Sequence, residues 1–294
     1  MYYQIVTPSD SKYNAEEKVI LEQVNRLLEN RPQLLIYSIY KKEKNTKNRI
    51  AIMKELEKFY FIQSLISGGY TRRRRRGQEE LGVQYATGNI DGKKLLEQIK
   101  LSISELFTNR EFSDVLYGRF KDASSGYYGW SFAKYFLFEY ELNLQSTSKT
   151  NRTKIDWDTF SKEVYEKDYT SVEHIYPQKA RNKYWTSRFS KYNQTQKRML
   201  RNSLGNLLAL SKPKNSSLSN NPFNEKRDTE TTGYRFGSYS ENEVALKNEW
   251  RGEEILERGL KMLDFLEERW QLNIGDKNKK IKALGLSFLK PKRK

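Results

Sequence analysis

The chain contains no cysteine and a single histidine, His174. Without thiols there are no disulfides, no thiolate nucleophile, no cysteine-ligated zinc and no iron–sulfur cluster. One imidazole excludes a site with two histidine ligands from one chain and any His–His acid–base pair, so imidazole chemistry falls to residue 174 alone. Long uncharged apolar runs are missing as well, which predicts no membrane span. The first ten residues have no basic stretch followed by an apolar one, so no secretory signal is expected. A cytoplasmic protein with no membrane partner is the resulting expectation. Hydrophobic residues are sparse, at 36%.

Aromatic residues are what the chain has in quantity: 20 Tyr, 14 Phe and 5 Trp. They can bury enough area to fold 294 residues as one large domain or two modest ones. The 54 Lys and Arg outnumber 37 Asp and Glu, for a formal charge of +17. Such a surplus favours a polyanion, because each neutralised phosphate releases condensed counterions. A plainer source for part of it is the Lys, Asn, Tyr and Ile bias of low-GC coding sequence.

The first half reads as helices. Val19, Ile20, Val24, Leu27 and Leu28 share one face of a helix over 15–29, and Pro32 suits the first turn of the next. A third helix over 47–66 stops at Gly68-Gly69. The polar stretch 70–92 reads as a loop, followed by a helix over 93–107 and an aromatic helix over 130–144. A Ser/Thr/Lys/Asn-rich link at 145–154 reads as a boundary. Beyond a short helix near 157–167, Val172–Ile175 and Leu204–Leu210 are β-prone. The polar stretch between them is partly helical, with Trp185, Phe189 and Met199 available for packing. A long amphipathic helix over 241–271 closes the pattern, and a basic tail over 277–294 follows it.

The informative stretch runs Ser171-Val-Glu-His-Ile-Tyr-Pro-Gln178, then Leu204-Gly-Asn-Leu-Leu-Ala-Leu210, Lys212-Pro-Lys-Asn215 and Asn221-Pro-Phe-Asn-Glu-Lys226. Glu173 and His174 are neighbours; on a strand they point to opposite faces, but a bend at Pro177 lets both border one pocket. Carboxylate and amide oxygens are hard ligands suited to Mg²⁺ or Mn²⁺. A neutral imidazole can take a proton from water near pH 7. A carboxylate and an amide on one metal, opposite an imidazole, make a minimal site for phosphodiester hydrolysis.

Glu-His-Ile-Tyr-Pro-Gln resembles the first strand of an HNH (ββα-metal) nuclease, and Gly205-Asn206-Leu207 resembles the second, whose Asn braces the loop carrying the His. Asn215, nine positions after Asn206, falls where the helix of that motif offers a second metal ligand, in place of its final His. More closely, the pattern is similar to the nuclease half of GmrSD-type modification-dependent restriction endonucleases. Phe223-Asn-Glu-Lys226 and the closing Trp250, Ile255 and Arg258 fit the remaining elements, so the resemblance spans 45–271. It implies a mainly α fold: a helical domain over 1–150, a nuclease region over 155–271 with an embedded ββα-metal (HNH) motif and a long C-terminal helix, and a basic tail over 272–294. The gap from His174 to Asn206 is longer than in compact HNH motifs, so an insertion must loop out between the strands.

The implied mechanism has His174 deprotonate water, Glu173 and Asn215 hold one Mg²⁺ or Mn²⁺, and Asn206 orient the His174 segment. Lys226 or Arg227 offsets charge on the phosphate, and the products are 5′-phosphate and 3′-hydroxyl ends. The family's NTPase half is not evident: neither Gly-x-x-x-x-Gly-Lys-[Ser/Thr] nor Asp-Gly-x-x-Arg occurs. A ParB-like NTPase subunit or domain is thus an expected partner, beside DNA.

Each residue also has a purely structural role open to it. Glu173 suits a strand-end surface, Asn206 a turn, Asn215 a helix N-cap and Lys226 a solvated side chain. Arg72, Arg73, Arg74, Arg75 and Arg76 suit either a solvated run or contact with phosphates without sequence readout. The leading function is a metal-dependent endonuclease acting in restriction of foreign or modified DNA. The alternatives are a non-catalytic nucleic-acid-binding module and a helical subunit of a defence complex.

Overall fold

The computed structural model describes residues 1–28, 34–67, 72–107, 111–121, 124–150, 152–157 and 171–289, with the backbone alone at 67, 72–76, 171, 212 and 213. It separates into two compact units, Met1–Arg110 and Glu111–Lys294.

Helices build the first unit: α1 (Tyr2–Val6), α2 (Ala15–Leu27), α3 (Leu34–Lys42), α4 (Thr46–Ser67), α5 (Arg72–Thr87) and α6 (Gly92–Glu105). Asn14 and Asp91 cap α2 and α6, each accepting from a backbone N–H of the first turn at 2.8 Å. Helix α2 packs on α4, α3 on α5 and α4 on α6. The buried face of α2 carries Ile20, Leu21, Val24 and Leu27, whereas Val19, expected there, is 52% exposed. Two apolar stripes compete on this helix, and tertiary packing chooses the one through Leu21.

The stretch expected as a loop over 70–92 is mostly the helix α5. Among its described side chains the buried positions are Gln78, Gly82 and Tyr85. These have helical spacing but little hydrophobicity, so the period is invisible to a hydropathy pattern. At Gly82 a Cβ would come within 3.0 Å of the Leu35 backbone nitrogen, so the glycine permits the close approach of α3 and α5. The five-arginine run opens α5, and its side chains lie outside the described residues.

The second unit begins with α7 (Phe112–Phe120) and α8 (Ala133–Ser146). The division into compact units therefore falls at 110, so α8 lies in the second of them. The cause is aromatic packing: Phe136 of α8 lies 5.7 Å from Phe265 and 6.1 Å from Trp270, ring centroid to centroid, in the same unit. Two four-residue strands, β1 (Ser171–His174) and β2 (Leu207–Leu210), pair antiparallel from Ser171↔Leu210 to His174↔Leu207. Between them lie α9 (Lys183–Arg188) and α10 (Gln194–Arg201). Trp185 and Phe189 are fully buried there, while Met199 is half-buried. Helices α11 (Lys212–Leu218) and α12 (Phe223–Asp228) follow β2, and α11 lies against β1. The helix expected near 157–167 falls almost wholly outside the described residues.

The closing helix is two: α13 (Tyr239–Ala245) and α14 (Gly252–Trp270). The interruption leaves Leu246 82% exposed and turns Trp250 fully inward. The basic tail is packed in part: α15 (Lys277–Ala283) and its successor bury Ile281, Leu284 and Leu286. Lys279, Lys280 and Lys282 meet Glu111, Asp264 and Asp114 in ion pairs, so these cations are matched within the unit. Residues 290–294 lie outside the described residues. The described part of the chain is thus mainly helical with two strands. Among the described residues no helix is long and apolar enough to cross a membrane.

Candidate active site

Strand β1 delivers Glu173 and His174 to the border of one polar cavity of about 350 Å³, whose other wall includes Asn215, Ser219 and Asn220. Both β1 residues are nearly buried, Glu173 at 4% and His174 at 7% exposure. The chain leaves the strand through Ile175, Tyr176 and Pro177, and Asn206 fixes this exit. The Asn206 side-chain oxygen accepts from the Tyr176 backbone N–H (2.8 Å) and from the Trp250 indole N–H (3.0 Å). Its amide nitrogen donates to the carbonyls of Tyr176 (3.0 Å) and Arg201 (2.8 Å). With no exposure, all the hydrogen bonds Asn206 makes must be internal, and these four saturate its amide. The side chain therefore stands against the segment that leaves β1 after His174.

Gly205 is needed beside it. A Cβ there would collide with the Ile255 carbonyl and the Gly259 amide of α14. Arg258 of the same helix donates to the carbonyls of Gly205 (3.0 Å) and Leu207 (2.7 Å) and to Glu243 (3.1 Å). Burial pushes Glu243 upward, but Arg258, Lys261 and Tyr140 outweigh it and hold the carboxyl below its ordinary pKa. Trp250, Ile255 and Arg258, distant in sequence, thus clamp the Gly-Asn-Leu segment from α14 and its approach.

Glu173 meets Lys226 of α12 in a buried ion pair, and the Tyr234 hydroxyl donates to the same oxygen at 3.3 Å. Burial pushes the Glu173 carboxyl above the usual range, and Lys226 and Tyr234 pull it part of the way back. The Lys226 ammonium has no exposure and also donates to the carbonyls of His174 and Ile175, each at 3.4 Å. It is neither a solvated side chain nor in reach of solvent phosphate: its hydrogen bonds fasten Glu173 and the turn behind it. Arg227 points elsewhere, to Asp228 and the Lys247 carbonyl.

Burial, with Lys226 and Arg201 nearby, lowers the His174 pKa to about 4 against an opposing hydrogen bond with Asn202. The ring is therefore neutral near pH 7, the form that can accept a proton. Nε2 lies 3.2 Å from the Asn202 side-chain oxygen and 3.4 Å from the Gln178 amide nitrogen. The Tyr128 ring rests against the imidazole, centroids 4.4 Å apart. Asn202, Tyr128 and Tyr234 carried no signal in the sequence: each reaches the site from another element, out of a stretch with no motif.

Asn215 sits inside α11, whose N-cap is Ser211 accepting from Lys214, so the capping role open to Asn215 is taken by another residue. Among the described residues no group of three or more His, Cys, Asp and Glu side chains gathers to hold a metal. The side-chain oxygen donors lining the cavity are one carboxylate with Asn, Gln, Ser and Tyr side chains. That set is poor for zinc. It is compatible with Mg²⁺, which keeps several waters and takes one or two carboxylates together with substrate phosphate.

Residues 113–265 match the family model for GmrSD restriction endonucleases, C-terminal domain. No curated protein and no solved structure matches the chain. The matched span contains both strands, the cavity residues and the clamp from α14. Since it covers more than half of the 294 residues, the chain belongs to the GmrSD family of restriction endonucleases, nucleases whose substrate is DNA.

Proposed function

We propose that the chain is a metal-dependent DNA endonuclease of the HNH type, acting in restriction of foreign or modified DNA, with His174 as the base that activates water. The observation that carries this reading is the meeting of the sole imidazole, kept neutral by burial, with a carboxylate and an amide at one open polar cavity. The order β1, β2, α11, with α11 against β1, agrees with a ββα arrangement.

In this reading His174 takes a proton from a water whose oxygen bonds to phosphorus, while the bond to the 3′-oxygen breaks and that oxygen gains a proton from solvent. Asn206 holds the exit of β1, so the imidazole cannot drift from its line of attack. Lys226 and Tyr234 hold Glu173 in one orientation. Glu173 and Asn215 are the residues that would hold Mg²⁺ or Mn²⁺, which when bound supplies positive charge against the scissile phosphate. Arg72 to Arg76 are offered as non-specific contacts to the DNA backbone, and a ParB-like NTPase subunit or domain as a partner.

The test is incubation of supercoiled plasmid with Mg²⁺ or Mn²⁺, with and without chelator. Cleavage is expected only with metal, and His174→Ala should slow it at least about 100-fold while retaining DNA binding. Undiminished nicking by that variant would move the chemistry to another residue.

A further inference from the structure

Asn202 terminates α10 and is 7% exposed. Its side-chain nitrogen donates to the Ser124 carbonyl at 2.9 Å, and a carbonyl can only accept. The amide is thereby oriented, and its oxygen is the atom facing His174 Nε2 at 3.2 Å. An oxygen acceptor in that position requires an N–H on Nε2. Gln178 approaches the same ring nitrogen with its amide nitrogen, at 3.4 Å, and would require a lone pair there instead. The two demands are incompatible. Asn202 prevails because its contact is shorter and its orientation is locked by a second partner.

The same residue fixes what covers the ring. The Asn202 backbone carbonyl accepts from the Tyr127 N–H at 3.0 Å. Gly126 has φ +49°, and a Cβ there would lie 2.9 Å from both Cβ and the carbonyl oxygen of Asn202. The 124–129 segment thus rests directly on Asn202 and lays the Tyr128 ring against the imidazole.

We propose that Asn202 is the positioning residue of His174: it keeps the proton on Nε2 and so makes Nδ1 the nitrogen that receives a proton from water. The second half rests on the nuclease reading; the tautomer itself does not. A neutral imidazole has one N–H, so a donor at Nε2 leaves the lone pair on Nδ1.

Having a single histidine makes the experiment direct, because every imidazole nitrogen signal of the ¹⁵N-labelled full chain belongs to residue 174. In the metal-free protein at neutral pH, Nε2 should resonate as a protonated nitrogen and Nδ1 as an unprotonated one. Asn202→Ala should erase that preference. Gln178→Ala should leave it unchanged. A wild-type proton on Nδ1, which needs no variant to see, overturns the proposal, as does an unaltered spectrum in a folded Asn202→Ala protein. In the plasmid assay Asn202→Ala should lose about 10-fold or more in rate, the scale of a lost supporting contact, with DNA affinity retained. A wild type that never nicks defeats the nuclease reading and with it the assignment of Nδ1 as base. The spectrum still decides whether Asn202 sets the tautomer.

Discussion

The two walls of the candidate cavity are built on different terms. On the β1 wall Glu173 and His174, and behind it Asn206 and Lys226, are all under 8% exposed. Each is held by partners from other elements: Asn206 by four hydrogen bonds, Glu173 by Lys226 and Tyr234, and the Gly205 and Leu207 carbonyls by Arg258. Opposite it, Asn215 is half-buried, and Ser216, Ser219 and Asn220 are exposed. Ser219 takes φ 40°, a left-handed turn that directs the chain out of α11. Groups that must stay aimed at a reacting atom sit where packing leaves one geometry. Groups that meet ligand and water sit where side chains can adjust. A buried polar network is costly when incomplete, so damage to the first wall should appear as lost stability and damage to the second as lost ligand affinity.

Lys226→Met probes the first wall hardest. It strands a carboxylate that is almost wholly buried, so unfolding free energy in urea should fall by about 3–5 kcal/mol. Adding Glu173→Gln should recover most of the loss, because the penalty belongs to the unmatched charge. A single variant as stable as wild type would mean that the pair is not buried in solution.

His174 gives the next largest effect, through pH. Its folded pKa of about 4 lies below the ordinary 6.5, so the unfolded chain binds more protons between those values. The stability of the metal-free protein should therefore decline as pH falls from about 6.5 to 4, by at most about 3 kcal/mol. Glu173, raised by burial above 4.5, acts in the opposite sense, favouring the folded state at lower pH. Denaturation of His174→Gln across the same range isolates the imidazole's share: the decline should flatten relative to wild type. An identical slope in both proteins would show a ring exposed to water.

This asymmetry also explains how much was legible in the sequence. The two strands are, in part: of the β-prone runs Val172 to Ile175 and Leu204 to Leu210, the first forms as Ser171–His174, and the second only over Leu207–Leu210, since Leu204–Asn206 is a 3-10 turn. Glu173, His174 and Asn206 belong to short ordered motifs. Lys226 was visible as a charge, but its burial was not, because nothing local tells a solvated lysine from one sealed against a carboxylate. Asn202 and Tyr128 were invisible, since their proximity to His174 is created by the end of α10 and by the loop laid over it. Helix α5 was missed because its buried face, among the described side chains, is Gln78, Gly82 and Tyr85. The rings joining α8 to α14 place the aromatic helix in the second compact unit, a contact no local composition reveals.

Trp250→Phe makes a gentler cut in the first wall. It removes the indole N–H from Asn206 but leaves the Tyr176 N–H on the same oxygen. It also leaves a smaller ring in the place of one fully buried and stacked at 5.5 Å on Phe223. The expected cost is about 1–2 kcal/mol, from one hydrogen bond and a small cavity, read as a lower thermal midpoint. A larger loss, with the ¹⁵N signals of His174 altered, would show that the indole rather than the Tyr176 N–H anchors Asn206.

Asn215→Ala tests the second wall, where the effect on stability should be smallest, within about 0.5 kcal/mol of wild type. Its consequence should fall on the ligand instead. The Mg²⁺ or Mn²⁺ concentration giving half-maximal plasmid nicking should rise at least about 10-fold, the lower end of what even an outer-shell contact contributes to metal affinity. The rate at saturating metal should change far less, because His174 and its supports are untouched. If the variant instead lost several kcal/mol while its metal requirement stayed put, Asn215 would be a structural member of α11, and the open wall would be as tightly specified as the one facing it.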